Sequence, residues 1–373
     1  MTKIRQSNMN KGGNDTGNAQ LTRKKSYAYM RAAAAVGIVF LHTFQCNVEA
    51  FQPMGSAKIL SIVVRNGMMW AVPVFVMVTG ALLLDPDRRL PYDRLFGHYI
   101  CRNAALLFLC VFASRWMDEY LLKISPAEKP LQFAGNSAAA FLTADGWQTL
   151  WYMYLLLAIY LTLPMLRGMV RGMNENDLQY AAAVLFVFQS IVPFLANMLE
   201  RPAGVYLLYY TVYPLYLLLG FQIGKGMIKL RIAAAWTMVC LCAAGNAALT
   251  VGCFLFGWSD LIGELGLYSF PLTVVEALGI FSLFSRMDRA EIQDSDTGQA
   301  EQRTGFFGKM LLAFDRYTLE IYLLHLFILQ GIIYGFGFNP YSYGLWMAVT
   351  EAVGVFILSY LTAWVLYGFG RWQ

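Results

Sequence analysis

The sequence predicts an all-α fold, a polytopic transmembrane helix bundle of about ten spans with both termini cytoplasmic. Three observations lead there. Of the 373 residues, 58% are apolar and only 14% charged, with a mean hydropathy of +0.49, whereas soluble domains run about 45–50% apolar and about 25% charged. Charges this sparse, scattered at random, would leave roughly 5% of spanning-length windows uncharged, yet such windows recur along almost the whole chain. Finally, 22 of the 28 Lys and Arg fall on one side of the alternating spans; only Lys58, Arg65, Arg115, Lys123, Lys129 and Arg201 fall on the other. The positive-inside rule makes the richer side cytoplasmic.

The same figures exclude disordered, collagenous and disulfide-scaffold chains, and spans that are continuously apolar exclude a transmembrane β-barrel. The net charge of +5 is mostly a topology signal, so the expected partner is the lipid bilayer and not nucleic acid. All six cysteines lie in apolar spans without CxxC or zinc-type spacing, which reads as buried small side chains; no metal is expected.

In chain order, residues 1–26 are polar, with Gly12, Gly13, Asn14 and Asp15, and are expected to form a disordered cytoplasmic tail. Residues 27–370 read as a single integral-membrane domain. Its spans lie near 28–46, 59–84, 97–117, 147–168, 178–198, 204–223, 232–256, 267–287, 317–336 and 343–367. Pro73, Pro164, Pro193, Pro214 and Pro271 fall inside five of them and predict kinked helices, which membrane bundles tolerate. An outer loop over 118–146 is long enough to cover a site. The inner stretch 288–305, rich in Asp, Ser and Gly, reads as a flexible loop.

Ionisable groups at membrane depth are costly, so each one points to a partner or a function. In span one, Arg31 and His42 are eleven residues apart, which places them about 20° from each other around a helix and about 16 Å apart along it. Ala34, Ala35 and Ile38 lie between them on that face, an apolar strip along which something extended would fit. Arg31 reads either as an inner-headgroup anchor or as a phosphate contact; His42 reads as an interhelical hydrogen bond or as a catalytic group. Arg65 and Asn66 precede Trp70 in span two, and Arg65 suits an outer carboxylate or the interface. Arg88, Arg89, Arg94 and Arg102, in the inner loop and the start of span three, are either a topology signal or a phosphate site. Trp147 and Trp151 fit an interfacial belt or the wall of a sugar site. Glu276, at mid-depth in span eight, needs a cation, a proton or a hydrogen-bonding pocket. Glu320 and His325 are about 140° apart on one helix, and His325 reads as a packing group behind the site.

These segments resemble the membrane acyltransferase family 3, integral-membrane enzymes that modify glycans and other envelope molecules. The family's R-x10-H pattern is present as Arg31 and His42. Its VPxFxxxSG stretch appears as Val72 to Gly80, with Thr79 in place of serine and still carrying a hydroxyl. The aromatic run Trp151-Tyr152-Met153-Tyr154 through Tyr160 to Pro164, and the late run Ile321-Tyr322-Leu323-Leu324-His325, match two further motifs in the right order. The RxxR pattern after helix two is not kept, because His98 and Tyr99 stand near its place.

The resemblance implies acyl transfer from cytoplasmic acyl-CoA, most often acetyl-CoA, to a hydroxyl of a cell-envelope glycan or related acceptor, in the inner plasma membrane. Arg31, Arg88, Arg89, Arg94 and Arg102 would hold the donor's phosphates and His42 would act as general base or as an acyl-carrying nucleophile. Arg65, Asn66, Thr79, Trp151, Tyr152, Glu276 and His325 would bind or support the acceptor. The competing expectation is a transporter or flippase of a polar envelope precursor, with Glu276, His325 and Arg65 as its relay.

Overall fold

A computed structural model describes the backbone of residues 7–200, 211–295 and 306–370. Every regular element among them is helical, as backbone groups in a lipid environment require. The helices are α1 (Ser7–Phe51), α2 (Gly55–Gly67), α3 (Ala71–Leu83), α4 (Arg102–Trp116), α5 (Pro130–Thr143), α6 (Trp151–Arg171), α7 (Glu175–Phe186) and α8 (Val192–Met198). There follow α9 (Tyr213–Lys225), α10 (Ile232–Phe256), α11 (Ser259–Leu265), α12 (Pro271–Ser295), α13 (Phe306–Asp315), α14 (Thr318–Gln330) and α15 (Leu345–Gly370).

Among the described residues, eight segments are long and apolar enough to cross a membrane, and each coincides with an expected span. The other two expected spans are α9 and α12. The first is thirteen residues long, and the residues expected to begin that span, 204–210, lie outside the described residues; the second ends in the polar run MDRAEIQDS. This is a multi-pass helical membrane protein. The helix of span one continues back to Ser7, through the stretch expected as a disordered tail, of which residues 1–6 lie outside the described residues. Once nucleated, a helix extends at one hydrogen bond per residue, even through weak formers. Likewise residues 288–295 of the expected flexible loop extend α12, and 296–305 lie outside the described residues.

Of the five prolines expected to kink helices, Pro164 and Pro193 are in helix interiors, Pro193 just after the π turn 187–191 that interrupts the continuous helical segment Glu175–Met198. Pro73, Pro214 and Pro271 occupy the first turn of α3, α9 and α12, where an absent N–H costs nothing. Pro73 is accommodated because span two breaks into α2 and α3 at a turn, with Met68 and Met69 N–H bonded to the carbonyls of Arg65 and Asn66.

Two compact units alternate along the chain. Unit 1 holds 1–45, 54–82 and 175–318; unit 2 holds 46–53, 83–174 and 319–373. In unit 1, Gly80 of α3 and Gly220 of α9 mark a backbone-to-backbone crossing: a Cβ on Gly80 would overlap the Leu217 carbonyl, and one on Gly220 the Met77 carbonyl. Small residues permit such approaches in membrane bundles. Also in unit 1, Tyr29, Ala32 and Leu311, with Phe284, Leu312 and Phe314, fasten α13 to α1 and α12. In unit 2, aromatic rings and side-chain hydrogen bonds join α4, α5, α6 and α14, through Phe112–Phe133, Phe108–Phe141 and Tyr152–Tyr322.

Candidate functional site

The expected site residues fall into both units. In unit 1, His42 is 5% exposed on α1, so the imidazole is turned into protein and not towards lipid. Arg31 is bonded at both ends of its fork: Nε donates to Asp315 Oδ1 at 2.7 Å and Nη2 to Oδ2 at 2.8 Å, with side chains 29% and 18% exposed. Asp315 closes α13, and sequence reasoning missed it; its signal was a carboxylate just ahead of an apolar span. The strip between Arg31 and His42 does not lie open. Ala34, Ala35 and Ile38 are 0, 2 and 1% exposed, and a Cβ on neighbouring Gly37 would come within 3.0 Å of Ala71 and 3.5 Å of Trp70. A face of small residues draws another helix close, and here it is closed by packing.

Arg65 and Asn66 end α2 and open a hydrogen-bond chain within unit 1. Arg65 Nε and Nη2 donate to Asn66 Oδ1 at 3.0 and 2.8 Å, and Asn66 Nδ2 donates to Thr250 Oγ1 of α10 at 3.0 Å. A Cβ on Gly266 would stand 2.5 Å from Arg65 Nη2, so that glycine leaves room for the guanidinium. Glu276 is buried on α12, near Cys242 of α10 and Tyr216 of α9. The Thr79 hydroxyl donates to the Phe75 carbonyl one turn back at 3.0 Å; this bond satisfies the hydroxyl within its own helix.

In unit 2, Trp151, Tyr152 and His325 come together around a residue not singled out from the sequence, Tyr322. Tyr152 meets Tyr322 edge to face at 5.5 Å, His325 lies 5.9 Å from the same ring, and Trp151 abuts Tyr152 at 6.1 Å. The Tyr322 hydroxyl donates to the Thr149 carbonyl at 2.6 Å, and His325 Nδ1 lies 3.1 Å from the Ile321 carbonyl, which accepts from it. Trp147 donates to Asp118 at 2.8 Å and packs on Phe327, a fixed position for a ring expected in an interfacial belt. A second buried carboxylate, Glu351 of α15, accepts from Asn47 Nδ2 at 2.5 Å; the rule that picked out Glu276 applies equally to it.

The cations of the inner loop divide. Arg88 and Arg89 line a pocket of about 480 Å³ together with Arg167 and Arg171 from the end of α6, Asp87, Tyr92, Leu95 and Pro164. Arg94 and Arg102, expected to share this role, are exposed and do not line it. Arg167 Nη2 donates to the carbonyls of Asp85 (2.8 Å), Pro86 (3.3 Å) and Arg88, and Arg171 Nη2 to that of Pro86 at 3.1 Å. Sequence reasoning counted Arg167 and Arg171 as topology signals only; their place at i and i+4 on α6, where they face one turn together, was the available clue. Four guanidinium groups against one carboxylate give the pocket lining a net positive charge.

A multi-pass helical bundle with a buried histidine, a buried polar chain and a pocket lined by four arginines defines the class: a membrane-embedded helical protein. Residues 25–368 match the family model for the acyltransferase domain of the acyltransferase 3 family, and the chain belongs to that family. It is a membrane acyltransferase. Comparison with curated proteins and with solved structures gives no match.

Proposed function

We propose that the protein transfers an acyl group, acetyl in the first instance, from acyl-CoA to a hydroxyl of a cell-envelope glycan at the inner plasma membrane. The carrying observation is the four-arginine pocket of unit 2. Its volume and charge suit the phosphorylated end of coenzyme A, and it supplies guanidinium forks where a thioester donor has phosphates. The phosphate contacts are therefore Arg88 and Arg89, shaped by Arg167 and Arg171. Arg31 is already matched by Asp315; two of its five N–H groups are spent there, and the remainder make it a supporting contact.

His42 acts as general base. It takes the acceptor's hydroxyl proton as the oxygen forms its bond to the thioester carbonyl carbon; the C–S bond breaks, and the imidazolium returns the proton to the leaving thiolate. An acyl-histidine route would use the same residue. The test is labelled acetyl-CoA supplied to membranes containing wild type or His42→Ala, with mass spectrometry of the envelope glycans for added acetyl groups. Loss of transfer in the variant is expected; undiminished transfer rejects the base role.

A further inference from the structure

Inside unit 2 the C-terminal end of α1 meets α15 through a buried polar pair. Asn47 is 0% exposed and Glu351 7%, and Asn47 Nδ2 donates to Glu351 Oε2 at 2.5 Å. Each residue also keeps one buried oxygen with no hydrogen-bond partner among the described residues, Asn47 Oδ1 and Glu351 Oε1. With the pair already in contact, ordinary bond lengths hold those two oxygens within about 7 Å of each other. If Glu351 were ionised, both would be acceptors and the pair would be one donor short. A charge would also lie buried on a single neutral hydrogen bond, a costly state.

The surrounding groups do not repair this. Cys46 lies near Glu351 and Glu49, and Tyr334, in the π turn Gly331–Gly335, lies near Cys46, Glu49 and Asp118. Tyr341 and Tyr343 belong to the turn Pro340–Tyr343, which packs on α15. Glu49 and Asp118 bring negative charge, and the cation beside Asp118, Arg115, pairs with Glu119 and Glu128. A metal ion would need more ligands, and among the described residues no three His, Cys, Asp or Glu side chains are grouped to hold one.

One proton on Glu351 removes both defects. The carboxylic acid carries no charge, and its O–H is the missing donor, with Oε1–H bonding Asn47 Oδ1 while Nδ2–H bonds Oε2. Turning the amide end for end exchanges the two bonds and keeps the count. Oε2–H then spans the 2.5 Å to the amide oxygen, a normal O–H···O length, and Nδ2 donates to Oε1. We propose that Glu351 stays protonated where an ordinary glutamate is ionised, and forms with Asn47 a proton-bearing clamp between α1 and α15. On release the O–H proton passes to solvent hydroxide, Asn47 loses a donor, and a buried carboxylate charge remains between the helices.

The experiment uses the full chain in lipid nanodiscs, with Glu351→Gln as the variant that keeps both hydrogen bonds and cannot ionise. The first readout is the infrared difference, wild type minus Glu351→Gln, at about pH 6, where a free glutamate is ionised. A carboxylic-acid C=O band is expected. A carboxylate band in its place, as water bridging an ionised Glu351 would give, overturns the proposal. The second readout is unfolding across a pH series. The folded acid holds a proton that the unfolded chain gives up near about pH 4.3. Wild-type stability should therefore fall with rising pH relative to Glu351→Gln, by up to about tenfold in the unfolding constant per pH unit, until the folded acid has ionised. A difference independent of pH overturns the clamp. Should Glu351→Gln fail to fold, Asn47→Leu takes its place in the infrared: removal of the acid's partner should shift the carboxylic-acid band, and an unchanged band overturns the pairing.

Discussion

Replacing Arg167 with methionine keeps an unbranched apolar stem and removes the fork that gathers the turn after α3. Its Nη2 group reaches the carbonyls of Asp85, Pro86 and Arg88, so two protons serve three acceptors and the interaction amounts to two full bonds. A hydrogen bond from a charged donor contributes about 1.5–3 kcal/mol. The site is partly open to water, so about half of that survives, about 1.5–3 kcal/mol in all. Arg88 and Arg89 are carried by the turn that these bonds hold, and a donor binding to the variant must re-form it. At 1.4 kcal/mol per decade, CoA should bind about 12- to 140-fold more weakly to Arg167→Met. Isothermal titration of CoA into the full chain in nanodiscs measures this without any acceptor, with Arg94→Ala as an exposed cation outside the pocket. The reasoning fails if Arg167→Met binds CoA within twofold of wild type while Arg88→Ala and Arg89→Ala lose affinity. If none of the three matters, the pocket is not the donor site.

Asp315→Asn should lower stability by about 1–2 kcal/mol, between the values for exposed and buried pairs, and a double-mutant cycle with Arg31→Met, read by thermal unfolding, should return a coupling of that size. Gly80→Val drives a side chain into the Leu217 backbone and should cost about 3 kcal/mol; loss of folded protein on size-exclusion chromatography checks it, with Gly168→Ala, where a Cβ meets nothing, as the tolerated control. Asn47→Leu removes the donor to buried Glu351 and should cost about 2 kcal/mol, seen as a lowered unfolding temperature that Glu351→Leu in the same chain largely restores.

Much of the architecture was legible because hydropathy is a local signal. Segregated charge located the spans, and eight of them stand where expected. Burial of His42, Glu276 and His325 followed from position alone. Partners were not legible, because helical periodicity gives the face of a residue and not what packs on it. Asp315 answers Arg31 across 284 residues, and the arginines of α6 join a turn some eighty residues earlier. The same limit explains the strip beside His42: small residues at helical spacing describe a groove and a tight helix contact equally well, and only the neighbour at Ala71 and Trp70 decides between them. Proline misled for a related reason, since its meaning depends on whether a helix restarts just before it, as α3 does after Met68 and Met69.

The bond between Arg31 and Asp315 also has a history in time. The arginine leaves the ribosome 284 residues ahead of its carboxylate, roughly 15 to 60 s at ordinary elongation rates. Throughout that interval Arg31 lacks the carboxylate that holds it in the finished fold. The pair closes only once α13 has been made, so a stop codon placed before Asp315 would release a product whose opening helix lacks this partner.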